Sequence, residues 1–295
     1  MKNAYFKYIL ALLLFGSNGI IASHISLSSY EIVLLRTLIG SILLIALSLL
    51  TRVCFIFWLH KRQFLFLAIS GIAMGTSWMF LYEAYQQIGV SIASLAYYCG
   101  PVIVMTLSPF LFHERLTLLK AISFFAVLCG IFLVNAHAFQ EGKTRWGLFC
   151  GVMSAVMYAF MVIFNKKAEN IKGLENSTLQ LSISFLTVAA FVGLKQGFLF
   201  PVTSVDWAPI LMLGLFNTGI GCYLYFSSIG HLPAQTVAIC GYIEPLSAII
   251  FSVLLLQETM RPIQIIGAVL IIGGAVFGEC AEPKTVSQTY PQSDK

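Results

Sequence analysis

Glu244 is the acidic residue that lies deepest in an apolar stretch of the chain. It is 11 residues into the apolar run 233–256, which places it about 16 Å from the end of a helix rising 1.5 Å per residue. An ionised acid near the centre of a bilayer costs about 2.5–3.5 kcal/mol, so we expect Glu244 to be protonated, paired or facing a water-filled cavity. These conditions suit a proton carrier or an ammonium-binding group. The structural alternative is a protonated Glu244 bonded to a backbone carbonyl that Pro245 leaves free.

Two prolines lie at comparable depth in different apolar runs. Pro101 and Pro245 each lack a backbone N–H and clash with the preceding turn, so each is expected to kink or open its helix. Backbone groups freed at that depth must meet protein or cavity water. The two prolines therefore favour a site between their helices, with a plain packing kink as the alternative.

Arg36 is a cation inside an apolar run and needs an anionic partner or water. Glu83 is the best candidate by depth. The two residues are therefore a possible ion pair that orients the helices. Direct binding of a substrate carboxylate by Arg36 is the other hypothesis.

Aromatic rings and amides supply the remaining polar groups of the runs. Rings hold organic cations by cation–π contact, although rings near span ends are also typical of interfacial belts. Asn18 and Asn217 must hydrogen-bond at membrane depth, and bonds between helices are one role for them. Loop residues Glu114 and Glu258 are interpreted as structural caps at helix starts. We expect a substrate cavity lined by Glu244, Tyr242, Tyr98, Tyr158, Pro101, Pro245, Asn18, Asn217 and Trp78.

The composition indicates a membrane protein, and this is why the preceding residues are compared by their depth in the membrane. Of the 295 residues 59% are hydrophobic and 10% are charged, against about 25% charged in soluble domains. The net charge of +5 comes from short clusters between apolar runs, which argues against nucleic acid as a partner. The sequence has no Walker A, G-x-S-x-G or H-E-x-x-H motif and no C-x-x-C pair, so we expect no enzyme, no metal site and no cofactor.

Ten apolar runs are long enough to cross a hydrocarbon layer of about 30 Å. Their approximate bounds are 5–22, 30–50, 64–84, 90–111, 117–135, 146–164, 178–195, 207–228, 233–256 and 262–279. Lys2 and Lys7 precede the apolar stretch of the first run, as in a signal peptide, but removal of this run would leave an odd number of spans. The sequence therefore predicts an all-α membrane protein with ten transmembrane helices.

Lys and Arg residues are distributed unevenly between the two sets of loops. With the N-terminus inside, the cytoplasmic segments hold twelve of the 17 and the other side holds four, with Arg36 in the membrane. Because cytoplasmic loops retain positive charge, we predict that both termini are cytoplasmic and that the protein lies in the cytoplasmic membrane.

Sliding the chain against itself by 144 residues shows an internal repeat. Aligned identities include the pairs Gly75/Gly219, Tyr98/Tyr242, Pro101/Pro245, Ser108/Ser252, Leu111/Leu255, Glu114/Glu258, Ile122/Ile266 and Gly130/Gly274. Each half has five spans, so the halves enter the membrane from opposite sides. We divide the chain into repeats at 1–138 and 139–280 and a polar cytoplasmic tail at 281–295. A duplicated bundle without transport is the alternative to alternating access.

Short motifs in both halves resemble the EamA-type transporters of the drug/metabolite transporter superfamily over nearly the whole chain. They are Leu14-Phe15-Gly16-Ser17-Asn18, Val90-Ser91-Ile92-Ala93-Ser94-Leu95 before Pro101-Val102, and Gln235-Thr236-Val237-Ala238 before Glu244-Pro245-Leu246, with Glu114 and Glu258 following. The resemblance implies a ten-helix bundle with a central cavity between the halves, commonly exporting amino acids or related metabolites. Gly100 stands where the second half has Glu244, so the cavity need not be symmetric.

We predict a secondary transporter that exports a small metabolite, coupled to protons or to substrate exchange. A facilitative or uptake carrier of the same fold is the first alternative. An intramembrane enzyme or a lipid sensor is the alternative from another class. The expected partners are the small-molecule substrate and membrane lipid.

Overall fold

The protein is a bundle of membrane-crossing helices. A computed structural model describes residues 2–22, 24–88, 93, 96–114, 117–134, 145–195, 197, 206–256 and 262–280. Within these ranges every regular element is helical. The predicted junction between the repeats at 138–139, the tail 281–295 and Glu258 lie outside the described residues, so the division of the chain stays a prediction.

Among the described residues, six helices are long and apolar enough to cross a membrane. Spans 1, 2, 3, 6, 7 and 8 are Asn3–Ala22, Ser29–Leu50, Lys61–Ile88, Arg145–Lys167, Gly173–Lys195 and Trp207–Ile229. Shorter apolar helices form the rest: span 4 contains Gly100–Phe112, span 5 is Leu118–Val134, span 9 comprises Ala234–Cys240 and Ile243–Leu256, and span 10 is Pro262–Cys280. The described residues therefore confirm the predicted ten-span, all-α architecture.

Successive spans cross in alternate directions. We call the side at which span 1 begins the N-terminal face and the other side the opposite face. On the opposite face, Ser26 after span 1 donates its backbone N–H to Asp206 before span 8, at 2.8 Å. On the N-terminal face, Ile56 and Phe57 after span 2 donate to Glu175 at the start of span 7, at 2.7 and 2.9 Å. These bonds join the two halves at both faces.

Contacts between the halves occur in symmetric pairs, as an inverted repeat requires. A methyl group placed on Gly130 of span 5 would lie 2.6 Å from the carbonyl oxygen of Gly267 in span 10. The same group on Gly274 would lie 2.8 Å from the carbonyl oxygen of Ser123. Since Gly274 and Gly267 stand 144 residues after Gly130 and Ser123, one contact is made twice with the roles exchanged. Spans 5 and 10 thus pack about a two-fold axis, with glycine allowing close approach.

Span 8 departs from this symmetry by one residue. A methyl on Gly71 would lie 2.8 Å from Ile183 Cβ, and a methyl on Gly214 would lie 2.7 Å from Ile39 Cβ, the residue that corresponds to Ile183. Gly75 and Gly219 also correspond. The two glycines are thus four residues apart in the first half, Gly71 and Gly75, and five residues apart in the second, Gly214 and Gly219. A π-helical segment, Leu213–Ile220, accommodates the additional residue. The alignment without gaps did not predict this segment.

The glycine crossing of spans 5 and 10 yields a paired test on one helix. Gly274→Ala places a methyl group against the Ser123 carbonyl and the Val127 side chain, 2.8 Å from each. We expect the helices to separate and the free energy of unfolding to fall by about 1–3 kcal/mol. The matched control is Gly273→Ala, where a methyl group meets nothing within 4 Å. Thermal unfolding in detergent should give a lower melting temperature for Gly274→Ala alone, and equal melting temperatures would contradict the proposed packing.

Candidate functional site

A cavity of about 410 Å³ enters the bundle from the opposite face. Its wall begins at Ile25 and Leu27, in the connection between spans 1 and 2, and continues inward to Glu244 of span 9. Spans 1, 2, 3, 4 and 9 all contribute to it. Its polar and aromatic lining consists of Phe15, Asn18, Arg36, Trp78, Tyr82, Tyr85, Tyr97, Tyr98 and Glu244.

A smaller pocket of about 40 Å³ continues from the bottom of this cavity. It shares Asn18, Trp78 and Glu244 with the cavity and is closed by Tyr158 and Tyr225. The hydroxyl groups of these two tyrosines lie 3.3 Å apart. Two further ring contacts extend this layer, Tyr97 with Tyr158 and Tyr8 with Tyr225, each with ring centroids 5.3 Å apart. The aromatic layer separates the cavity from the N-terminal face.

Glu244 lies where span 9 is interrupted. Helix Ala234–Cys240 ends, Gly241 and Tyr242 form a turn, and helix Ile243–Leu256 begins, so Glu244 occupies the first turn of the second helix. A helix start favours a negative charge. The half-buried carboxylate faces the cavity and has no hydrogen-bond donor among the described residues. It is therefore available to a solute or a proton.

Span 4 is interrupted at the corresponding place. Tyr98 and Cys99 form a turn, and helix Gly100–Phe112 follows with Pro101 in its first turn, as Pro245 is in span 9. The two breaks meet, because the Tyr242 hydroxyl donates to the Tyr98 carbonyl at 2.9 Å. The predicted opening of both helices at the prolines is confirmed.

The two halves fill the corresponding positions differently. A methyl group on Gly100 would lie 2.6 Å from the ring of Tyr158 and 3.1 Å from the Ala155 carbonyl oxygen. The tyrosine ring thus lies where the first half would otherwise carry a side chain like that of Glu244. For this reason the cavity has a carboxylate on its span 9 wall and an aromatic ring on its span 4 wall.

Arg36 lies on the cavity wall with neutral partners. Its Nε donates to the Thr218 hydroxyl at 2.9 Å, one terminal nitrogen donates to the Tyr82 hydroxyl at 3.1 Å, and the other donates to the Asn18 side-chain oxygen at 3.5 Å. The guanidinium also lies 4.5 Å from the ring centre of Trp78, a cation–π contact. Thr218 belongs to the π-helical segment of span 8 and donates its own hydroxyl to Leu213.

The expected ion pair between Arg36 and Glu83 is not formed by these two described residues. Glu83 accepts hydrogen bonds from the Tyr30 hydroxyl, from Gln87 at 3.2 Å and from the Trp146 ring N–H at 3.3 Å. It lies in a separate, mainly apolar groove of about 450 Å³ near the opposite face. Depth alone suggested the pair, but the two side chains line different pockets.

Four of the residues expected to line the cavity are packed behind it. Tyr242 is fully buried between the broken helices, and Pro101 and Pro245 lie in the helix turns rather than on the wall. Asn217 donates to the Leu14 carbonyl at 2.7 Å and to Ser17 and Asn18, so it connects spans 8 and 1. Five further aromatic residues belong to the site: the wall residues Phe15, Tyr85 and Tyr97, and the tyrosine layer residues Tyr8 and Tyr225. Tyr97 and Tyr225 were aromatic candidates by depth but were not favoured over Tyr98, Tyr158 and Tyr242, and the other three were not predicted. Their aromatic character could have indicated them, but the sequence does not show which face of each helix is turned toward the cavity.

Two charged side chains hold the N-terminal face closed. Glu114 of the first half accepts the backbone N–H groups of Ala234 and Gln235 at 2.6 and 3.0 Å, which caps the start of span 9. Lys166, at the end of span 6, donates to the carbonyls of Ile229 at 3.3 Å and of Leu232. We call these contacts the clasp. Glu114 is thus a helix cap, but for a helix of the other half rather than for the next helix in sequence.

Comparison with known proteins gives a consistent result. The profile of the EamA-like transporter family matches residues 2–136 and 145–277. The "Uncharacterized transporter YxxF" of Bacillus subtilis is 26% identical, with 92% of this chain and 88% of that protein covered. An "Uncharacterized transporter" of Clostridium kluyveri is 22% identical over 96% of this chain and 95% of its own length. A solved crystal structure has the same fold, with a TM-score of 0.80, 18% identity and coverage of 94% and 98%.

The clasp can be tested by removing one charge. Glu114→Gln keeps the shape of the side chain but replaces charge-assisted bonds with neutral ones, so closure of the N-terminal face should weaken by about 1–2 kcal/mol. In a chain whose sole cysteine is Cys222, which lines the small pocket, we expect a membrane-impermeant thiol reagent to react about tenfold faster from the N-terminal face.

The matched control is Lys61→Gln, an exposed charge on the same face that lies outside the clasp. It should leave the reaction rate of Cys222 unchanged. Equal rates in wild type, Glu114→Gln and Lys61→Gln would show that the clasp does not restrict access.

Proposed function

We propose that this chain, which belongs to the EamA-like transporter family, is a secondary transporter that moves a small metabolite such as an amino acid across the cytoplasmic membrane by alternating access. One observation carries the proposal: a polar cavity between inverted halves is open to one face and closed to the other. The cavity volume of about 410 Å³ lies within the range of about 300–1,000 Å³ for small-molecule sites.

The distribution of Lys and Arg supports an orientation for this cavity. Twelve of the 17 basic residues fall on the side of the N-terminus, which favours that side as cytoplasmic. In this orientation the clasp and the tyrosine layer close the cytoplasmic face, and the cavity faces outward. The conformation corresponds to an exporter after release of its substrate, or to a carrier ready for uptake.

The inverted repeat suggests how the cavity changes sides. Because the contacts between spans 5 and 10 exist in symmetric pairs, the two halves can exchange conformations with a small change in that interface. Opening the N-terminal face requires the clasp to release Ala234 and Gln235 and the tyrosine layer to part. Closing the opposite face brings the end of span 1, the start of span 2 and the end of span 3 together over Glu244.

Alternative functions differ in measurable ways. A facilitative or uptake carrier has the same architecture, and counterflow with and without a pH gradient separates it from a proton-coupled exporter. An intramembrane enzyme needs several reactive groups at one depth, whereas Glu244 is the sole carboxylate on the described cavity wall. A lipid sensor would bind lipid without flux of a soluble solute.

Glu244 is the group that we assign to proton coupling or to solute exchange. Substrates are first found by screening amino acids, purine-like metabolites and cationic drugs for ligands that raise the melting temperature of the purified protein. In proteoliposomes, Glu244→Gln should lower flux of such a ligand at least tenfold and remove its dependence on pH, because the amide neither carries a proton nor attracts a cation.

The matched control is Glu83→Gln, an acid at the membrane edge outside the cavity. It should retain both the rate and the pH dependence. Unchanged flux and unchanged pH dependence in Glu244→Gln would remove Glu244 from the mechanism.

A further inference from the structure

A groove between spans 2, 3, 6 and 7 is open toward the surrounding membrane. Its volume is about 450 Å³, and it shares no lining residue with the cavity or the small pocket. Its wall includes the exposed side chains of Thr76, in the middle of span 3, and Phe191 of span 7. Exposed side chains within a membrane span face hydrocarbon, so lipid reaches this groove directly.

The groove is charged at one end and mainly apolar along its length. On span 3 its lining extends from Thr76 to Glu83, about 10 Å nearer to the opposite face. On span 7 it extends about 12 Å from Thr187 to Lys195, the last residue of that span. The side chains between these ends are Met79, Phe80, Cys150 and Phe191. A lipid has the same order of polarity, since its headgroup lies at the interface and its chains extend into the hydrocarbon.

The two threonines at the inner end of the groove use their hydroxyl protons within the protein. Thr76 donates to the Ile72 carbonyl and Thr187 donates to the Ile183 carbonyl, each at 2.8 Å. A polar ligand therefore gains no hydrogen-bond donor from them, whereas an alkyl chain leaves both bonds intact.

Glu83, at the outer end, is satisfied by donors from three spans. Its carboxylate accepts hydrogen bonds from the Tyr30 hydroxyl of span 2, from Gln87 of span 3 at 3.2 Å and from the Trp146 ring N–H of span 6 at 3.3 Å. Hydrogen bonds to a carboxylate stabilise its negative charge. The acid thus joins the outer ends of these spans and does not require a cationic ligand.

Lys195 is the charge of the groove that lacks an acceptor. Its ammonium lies 4.0 Å from the ring centre of Tyr30 and 5.5 Å from that of Phe191. These cation–π contacts hold it beside the groove. Within the described part of the chain it forms neither an ion pair with Glu83 nor a hydrogen bond, so its three N–H donors are available to a ligand. The unpaired charge of the groove is therefore positive.

We infer that this groove binds an anionic phospholipid, with the lipid phosphate on Lys195 and one acyl chain lying along Phe191 and Phe80 toward Thr76. A neutral lipid would leave Lys195 without an acceptor, and a soluble phosphate would leave the apolar length of the groove unfilled. Spans 2 and 3 belong to the first half and spans 6 and 7 to the second, so the lipid contacts both halves at the face where the cavity is open. Because the groove is separate from the cavity, the inference does not rest on the proposed transport function.

Three matched ligands test which parts of the lipid are recognised. They are dimyristoylphosphatidylglycerol, dimyristoylglycerol, which has the same chains without the phosphate, and glycerophosphoglycerol, which is the headgroup without chains. Native mass spectrometry of the purified full-length protein, released from a neutral detergent, measures the affinity for each. Dimyristoylphosphatidylglycerol should bind about tenfold or more tightly than either of the others, because it alone gains both the charged bond and the chain contacts. Equal affinity for dimyristoylglycerol, or for glycerophosphoglycerol, would overturn the inference.

Removing the cation tests the headgroup end of the groove. Lys195→Gln should weaken binding of dimyristoylphosphatidylglycerol about tenfold and leave that of dimyristoylglycerol within about threefold of wild type. The matched control is Lys61→Gln, which removes an exposed lysine at the N-terminal face and should change neither affinity. An equal loss in the two variants would show that the lipid follows the overall charge of the protein, which contradicts a site at Lys195.

Filling the inner end tests the chain. Thr76→Trp places a large ring where the acyl chain should lie, so binding of dimyristoylphosphatidylglycerol should weaken at least about fivefold. The matched control is Thr106→Trp on span 4, since Thr106 is also exposed, also donates to the carbonyl four residues earlier at 2.8 Å, and lies outside the groove. Binding to Thr76→Trp that equals binding to Thr106→Trp would place the chain elsewhere and contradict the inference.

Discussion

The need to satisfy backbone hydrogen bonds without water is the constraint on which this structure depends. Spans 4 and 9 are both interrupted by a turn in the middle of the bundle, at Tyr98 and Tyr242. Hydrocarbon offers no partner for the polar groups exposed there, so the breaks must lie inside the protein. The two breaks lie against each other, and the Tyr242 hydroxyl donates a hydrogen bond to the Tyr98 carbonyl. The same break exposes Glu244 to the cavity, so a backbone requirement fixes the position of the chemical group.

The two halves have the same helix arrangement but contribute different side chains to the cavity. Where one half has Gly100 beneath the Tyr158 ring, the other has a carboxylate at the start of a helix. Where span 3 is a continuous α-helix, span 8 contains a π-helical segment that holds Thr218 against Arg36. Symmetry therefore governs the interfaces between helices, while the cavity is asymmetric. An asymmetric cavity between symmetric supports suits the carrier that we propose, which alternates between two faces.

Much of the fold follows from the sequence because its governing signals are local. Hydropathy defined the six longest of the described spans to within five residues, since the hydrocarbon thickness fixes helix length. The prolines indicated the two breaks because a missing N–H acts on the adjacent turn. The repeat indicated the inverted arrangement, and the glycine pair Gly130 and Gly274 lies at the crossing of spans 5 and 10.

The site was less predictable, because it depends on how each helix is rotated. Tyr242 and Asn217 lie at the expected depth but point into helix interfaces, whereas Tyr97, beside Tyr98, faces the cavity. Arg36 and Glu83 were paired by depth, which says nothing about azimuth. The additional residue of the π-helical segment changes the register of span 8, and no local motif marks it.

Alternating access requires that one face of the bundle opens when the other face closes, which a static bundle does not do. Spin labels at His113 and His231 report the N-terminal face beside the clasp, and labels at Gln86 and Trp207 report the opposite face. Electron–electron distance measurements in liposomes, with and without a bound ligand and at several pH values, compare the two pairs directly. Our account predicts populations in which the first distance lengthens as the second shortens. Distances that change together, or that stay fixed under every condition, would contradict it.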